Sequence, residues 1–404
     1  MGLKILQINT VCGSGSVGRI AVDIYHTLEK NGDKGMIAYG RRTAPEGIRA
    51  FRFGSPLDMG AHVLSTFFRG EHGFASGRQT KRLIGRIRKW NPDVIHLQNI
   101  HGFVLQVEIL FAYLKEAGKP VVWTLHDCWP YTGHCAFYDY TACEGWKTGC
   151  RACREYQRTY PYALFRNHTI QNYERKRTAF TGVADLTIVT PSRWLAGEVK
   201  QSFLKEYPVQ VIPNGIDRKC FRPVKSLLRQ RLGLEGRFVI LGVANVWERR
   251  KGLEYFVKLS GRLSEEYKVI LIGLSKKQIK SLPENIIGLE RTSGAEELAE
   301  YYSMADVFVN ATLEDNFPTT NLEALACGTP VITFNTGGSP ESVDESCGQV
   351  VPKGDTEALI KAIRQEREAP RQSESCLKRA ERYEKYDRFR EYVELYHRLA
   401  GQGE

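Results

Sequence analysis

No uninterrupted apolar run in the 404 residues reaches the roughly 18 that a membrane-spanning helix needs. The opening MGLKILQINT reads as a short strand entering a glycine loop, so neither export nor anchoring is expected, and a cytoplasmic location is. Framework cysteine spacing is also missing. The ten cysteines stand at 12, 128, 135, 143, 150, 153, 220, 327, 347 and 376, and outside 128–153 they are isolated, which favours a reducing compartment over a disulfide-stapled scaffold. There is no repeat of solenoid period, no low-complexity segment, and no RRM, OB or helix-turn-helix signature of a nucleic-acid reader.

What is present is the profile of a soluble globular chain, 42% hydrophobic and 25% charged, and too long for one ordinary core. Its charge is lopsided. Residues 1–216 carry 28 Lys and Arg against 17 Asp and Glu, while the remainder holds 29 of each. A basic N-terminal half, concentrated at 67–90, points to an anionic partner such as a lipid phosphate, a membrane surface or nucleic acid, against the blander reading of solvated basic faces.

Short apolar runs alternate with amphipathic stretches. KILQIN, GMIAYG, DVIHLQN, PVVWTLHD, DLTIVT and VQVI are strands of one parallel sheet, and RFVILGVAN, KVILIGL, ADVFVNAT and TPVITF are strands of a second. The expected fold is α/β, two doubly wound Rossmann-like domains facing a cleft. Their bounds are 1–213, with a Cys-rich insert at 128–153, and 214–385; a C-terminal helix at 386–404, apolar at Phe389, Val393, Leu395 and Tyr396, is expected to cross back to the N-terminal domain.

The loop CGSGSVGR at 12–19 spells G-x-G-x-x-G between a strand and a helix, the fingerprint of a dinucleotide site. That reading also needs an acid about 20 residues on, at the end of the next strand. GMIAYGRR ends instead in Arg41 and Arg42, which disfavours NAD and leaves NADP as a lesser alternative.

The stretch EDNFPTTNLEALACGTP at 314–330 carries more chemistry. Asp315 and Glu323 flank a loop entering a helix. The amides of Asn316, Phe317, Pro318's neighbours Thr319 and Thr320, and the helix N-terminus suit phosphate oxygens, while the acids can accept from sugar hydroxyls. The plain alternative is an N-capped amphipathic helix.

Together with PNGID at 213–217, Lys251-Gly252, TLHDCWPYTG at 124–133, TPSRWL at 190–195, ELAEYYSMADVFVNAT at 297–312 and NTGGSPE at 335–341, this stretch resembles the retaining, nucleotide-sugar-dependent glycosyltransferases of family GT4, with their two-domain GT-B fold. The likeness is greatest to the branch that builds colanic-acid-like exopolysaccharide and capsule. The resemblance implies a UDP-sugar donor and a glycan acceptor, lipid-linked and presented at the inner membrane face, with peripheral membrane contact and no nucleic-acid partner. It implies that Glu323 holds the ribose, that Asp315 holds the donor sugar, and that Asn316, Phe317, Pro318, Thr319 and Thr320 meet sugar and phosphates. Lys251 would neutralise the leaving diphosphate, His126 would lie against the donor sugar, and Gly15 and Ser16 would approach the donor phosphates and acceptor.

Two places depart from the family pattern. Asp315 is one methylene shorter than the usual Glu, and Asn245 stands where an arginine usually precedes the lysine by six residues, so Arg250 or Arg249 becomes the second cation. The rivals are a catalytically inactive sugar-nucleotide scaffold, an epimerase or hydrolase, and a basic zinc-stabilised nucleic-acid binder.

Cys135-x7-Cys143-x6-Cys150-x2-Cys153 has the count and reach of a structural tetrahedral zinc site, with Cys128 and His134 as spare ligands; catalysis itself is expected to need no cofactor. His96 and His101 read as cleft-edge or structural histidines, Asp127 as an orienter of its loop, Trp247 as a ligand stacker or a loop filler, and the tyrosines between 137 and 173 as an apolar shell.

Overall fold

The computed structural model describes residues 2–151, 153 and 155–401. The chain divides into two compact units, Met1–Pro213 with Tyr386–Glu404, and Asn214–Lys385.

The first unit is built on strands β1 (Lys4–Asn9), β2 (Lys34–Tyr39), β3 (Ala50–Arg52), β4 (Val94–Leu97), β5 (Val121–Thr124), β6 (Leu186–Thr190) and β7 (Val209–Val211). All pairings are parallel, in the order β3-β2-β1-β4-β5-β6-β7. Every residue of β4, β5 and β6 is buried, as strands covered on both faces must be, and this explains their reading as apolar runs. The order reverses between β1 and β4, so the carboxyl ends of those two strands form the switch point where such sheets bind ligands.

Between and after these strands run α1 (Gly15–Lys30), α2 (Pro56–Arg69), α3 (Gly77–Trp90), α4 (Val107–Glu116), α5 (Thr169–Phe180) and α6 (Arg193–Val199). Local chemistry sets their ends. Ser55 caps α2 ahead of Pro56, and Gly70 closes it at φ 70°.

The second unit repeats the plan with β8 (Phe238–Val243), β9 (Tyr267–Ile272), β10 (Ile286–Leu289), β11 (Val307–Asn310), β12 (Val331–Phe334) and β13 (Gly348–Val351), all parallel, in the order β10-β9-β8-β11-β12-β13. Its helices are α7 (Leu228–Arg231), α8 (Leu253–Ser260), α9 (Lys276–Lys280), α10 (Ala295–Met304), α11 (Thr319–Ala326), α12 (Thr356–Glu368) and α13 (Ser373–Glu381). The switch point lies between β8 and β11. The PNGID motif has a packing reason: a Cβ on Gly215 would sit 2.5 Å from Lys385 Cα, and Lys385 Nζ pairs with Asp217 at 2.7 Å.

A final helix, α14 (Lys385–Leu399), belongs from Tyr386 onward to the first unit. Its Phe389, Tyr392, Val393 and Tyr396 pack with Leu3, Ile5, Ile24 and Leu28, each fully buried aromatic contributing about 2 kcal/mol. Tyr396 OH bonds His96 Nδ1 at 2.7 Å, and Asp33 holds His397 at 2.9 Å.

Candidate active site

In the second unit, the loop after β8 carries Lys251 to the switch point. Trp247 anchors it: the indole is buried, donates to Ile272 O at 2.9 Å and meets Phe256 edge-on, so it fills the loop and is unavailable for stacking on a ligand. Arg249 to Lys251 form one 3-10 turn, closed by Gly252 at φ +75°. A Cβ there would lie 2.0 Å from Ala311 O, so only glycine lets this turn press against the end of β11. Backbone bonds complete the seam, with Leu313 N donating to Arg250 O at 2.7 Å.

Two sequence-predicted cations and one acid meet there. Lys251 Nζ lies 2.6 Å from Asp315 Oδ2, both side chains about one-fifth exposed, and Arg250 donates from Nη1 to Glu314 O at 3.1 Å and from Nε to Glu248 at 3.3 Å. Arg249 is exposed, as is Asn245 on the same loop. Gly337 supports the acid from below: its Cβ would fall 1.9 Å from Asp315 O, which instead accepts from Gly338 N at 3.2 Å.

Past Asp315 the chain turns inward. Asn316 and Phe317 are buried, and Phe317 O accepts from Asn214 Nδ2 at 3.1 Å. Pro318 is the N-cap of α11 and no side chain caps the helix, so the capped-helix alternative fails and the amides at Thr319 and Thr320 head an uncapped N-terminus. The helix is fixed by a buried polar network in which Asn321 Oδ1 accepts from Asn310 at 2.8 Å and Asn321 Nδ2 donates to Ser339 and Ser342. One turn further in, buried Glu323 accepts from Tyr302 OH at 2.9 Å.

The first unit has its own polar recess at its switch point. Gly13 and Gly15 take φ values of +72° and +69°; Gly13 packs against Pro45, while the space around a Gly15 Cβ is open and Ser16 is exposed beside it. Ser14, the N-cap of α1, makes no capping bond. Across from it, at the ends of β4 and β5, a small recess is lined by Gln98, Asn99, His101, His126, Asp127 and Trp129 among others.

His126 Nε2 is 3.3 Å from Gln98 Oε1, and Gln98 in turn donates to Gln7 at 2.6 Å. Burial holds the His126 ring down at about 4, against the upward pull of Asp127, so it is neutral at neutral pH. His101 Nε2 sits 2.6 Å from Asp127 Oδ2, and Trp129 N donates to Asp127 Oδ1 at 3.0 Å. Burial alone would raise the Asp127 carboxyl; His101, the Trp129 N–H and His126 together outweigh it and hold it below the ordinary carboxylate range. His96 is structural, clasped between Thr124 and Tyr396. Gln98 was not singled out by the sequence reading, and its only signal there is its place one residue past β4.

The four cysteines of the zinc expectation all lie in the first unit. Among the described residues no group of three or more His, Cys, Asp or Glu side chains could hold a metal ion. Cys150 Sγ takes the Gly133 N–H at 3.0 Å, Cys135 packs on the core of the first unit, Cys143 is exposed, and Cys143, Cys150 and Cys153 all act electrostatically on Cys135. Burial raises the Cys150 thiol to about 11 and Cys135 well above its usual range. The insert is braced by buried Lys176, whose Nζ donates to Trp129 O at 2.7 Å and Thr132 O at 3.0 Å. The tyrosine shell also needs amending, since Tyr162 is 44% exposed.

These two units match known families. A model of glycosyltransferase family 4 covers residues 17–219, and one of the glycosyl transferases group 1 covers residues 237–366. WcaC of Escherichia coli K12, named for colanic acid biosynthesis, is 26% identical over 385 residues, spanning 90% of this chain and 91% of its own. Among solved structures, sucrose-phosphate synthase of Thermosynechococcus elongatus superposes with a TM-score of 0.73 at 18% identity over 99% of both chains. HepE of Anabaena, solved with UDP-glucose, gives 0.68 at 14% over 97% of this chain and 99% of that one. The chain therefore belongs to glycosyltransferase family 4, a glycosyltransferase of GT-B fold.

Proposed function

We propose that this enzyme moves a sugar, with retention at the anomeric carbon, from a UDP-sugar to a lipid-linked glycan at a membrane surface during surface-polysaccharide synthesis. The observation that carries the reading is the meeting of Lys251, Asp315 and the uncapped α11 N-terminus at the switch point of the second unit, with Glu323 buried behind them. Lys251 and Arg250 supply the positive charge a departing diphosphate needs, the Thr319 and Thr320 amides add dipoles, and Glu323 takes the ribose hydroxyls. Asp315, now paired with Lys251, takes the donor sugar's hydroxyls. The anomeric carbon to phosphate oxygen bond breaks, the acceptor oxygen bonds the carbon from the same face, and the acceptor proton passes to the diphosphate.

His126, neutral in its recess, serves as a contact for the sugar, and Gly15 and Ser16 offer backbone to phosphate or acceptor. In this scheme no metal takes part. UDP in the HepE structures and colanic acid in the name of WcaC support donor and pathway class. Neither the inactive scaffold nor the nucleic-acid binder gains support from these relatives.

The test is UDP release from a panel of UDP-sugars with and without lipid-linked acceptor, on the wild type and on Lys251→Ala. Acceptor-dependent release that the variant loses is expected. Absence of binding and turnover with any UDP-, GDP- or ADP-sugar overturns the reading.

A further inference from the structure

α2 is inside out. Its inward side chains are polar: His62 bonds Ser76 at 2.9 Å and accepts from Gly73 N at 3.1 Å, and Asp58 is bonded to Ser55 and Gln79. Its outward side is apolar, with Leu57 87%, Leu64 58% and Phe68 51% exposed, and of the exposed face only Arg69 is charged. A helix on a water-facing surface has the opposite arrangement.

The exposure is also confined. All nine large apolar side chains exposed in the first unit, among the described residues, fall at 57–68 and 162–170. These segments form one surface. Phe68 and Phe165 stack at 5.1 Å and 5° between planes, and Leu164 N donates to Phe67 O at 3.0 Å. Contiguous apolar surface of this kind marks an interaction site.

Its border is cationic. α3, GRQTKRLIGRIRKW, has six Lys and Arg and no acid, and all six are exposed. Arg78, Lys81 and Arg82 share a face, and Arg78 and Arg82 act on Asp58 at the start of α2. Arg69 and Arg166 are exposed at the other end.

We infer that this plateau is a bilayer-docking surface: Leu57, Leu64, Phe68 and Phe165 enter the headgroup boundary while the α3 cations and Arg69 and Arg166 meet anionic lipid phosphates. The cationic border argues against a second copy of the chain, because a two-fold contact through this face would set like charges opposite one another. The inference deepens the reading of a lipid-linked acceptor by naming the partner surface, the lipid phase in which such an acceptor resides.

Co-sedimentation of the full chain with phosphatidylcholine vesicles, with and without phosphatidylglycerol, tests it. The wild type is expected to pellet with the anionic vesicles. Leu64→Ser/Phe68→Ser/Phe165→Ser weakens partition by about tenfold or more, and Arg78→Glu/Lys81→Glu/Arg82→Glu abolishes the preference for anionic lipid. Thermal unfolding and light scattering of each variant accompany the assay. A wild type that stays in the supernatant with both vesicles overturns the inference. So does an apolar triple variant that is folded and pellets like the wild type, or one that only converts a dimer to a monomer. UDP release, with or without acceptor, is read separately, so a wild type that releases UDP yet stays in the supernatant with both vesicles sinks this inference alone.

Discussion

His101 and Asp127 stand 26 residues apart in sequence and 2.6 Å apart in space, because β4 and β5 pair Leu97 with Trp123 and each residue lies four positions beyond its strand's register partner. Asp127 also accepts from Trp129 N, so two donors depend on one buried carboxylate. Asp127→Ala is expected to destabilise the first unit by about 3 kcal/mol, the cost of leaving the buried His101 ring and the Trp129 N–H without the carboxylate that both bond. Urea unfolding followed by tryptophan fluorescence measures it; a loss below about 1 kcal/mol would show that the recess relaxes around the missing carboxylate.

Lys251→Ala is expected to lower kcat by about 10² to 10³ through lost stabilisation of the leaving diphosphate. Lys251→Arg keeps the charge and retains part of the rate, and Asp315→Asn changes KM for the donor more than kcat. Steady-state UDP release with each variant decides it. Equal damage from Lys251→Ala to donor KM alone would assign the lysine to binding only.

Gly252→Ala puts a methyl group on Ala311 O in a left-handed turn. The variant is expected to lose more than about 2 kcal/mol of stability in the second unit, from strain plus the clash. It should also shift Lys251 out of reach of Asp315, so activity falls further than the stability loss accounts for. Comparing unfolding midpoints with residual rates at a temperature where the variant is folded separates the two.

Acid sensitivity follows from buried histidines of the first unit. Burial takes His62, His126 and His134 down to about 4 and His96 to about 3, from an ordinary 6.5. In the unfolded chain these rings protonate near 6.5 while the native ones refuse until about 4, so the unfolded state binds more protons in that interval. Stability is expected to be level above about 7 and to fall as pH drops from about 6.5 toward 4. Midpoints of thermal unfolding between pH 8 and 4.5 give the slope, and His62→Asn should make it shallower.

Sequence legibility tracked burial. β4, β5, β6, β8 and β11 are runs of buried apolar residues and announce themselves. β10 and β13 are four residues each and contain a glycine; β13 leaves Val350 exposed, so neither has a period to read. The Lys251 and Asp315 constellation was legible because each lies on the first loop after a switch-point strand. The His101 and Asp127 pair was not, since register between β4 and β5 decides it. α2 was missed for a different reason: its apolar stripe faces away from the core, and the pattern of a sequence does not say which face turns inward.

The division of the chain makes Asn214–Lys385 an insertion within the first unit, whose closing helix is synthesised after the inserted body. On the ribosome the inserted body has all its strands and can fold while its host still lacks Phe389, Tyr392 and Tyr396 over Leu3 and Ile5. Until those aromatics emerge, the face of β1 and α1 they cover stays wet, and the nascent host depends on its late-arriving helix to become a finished body.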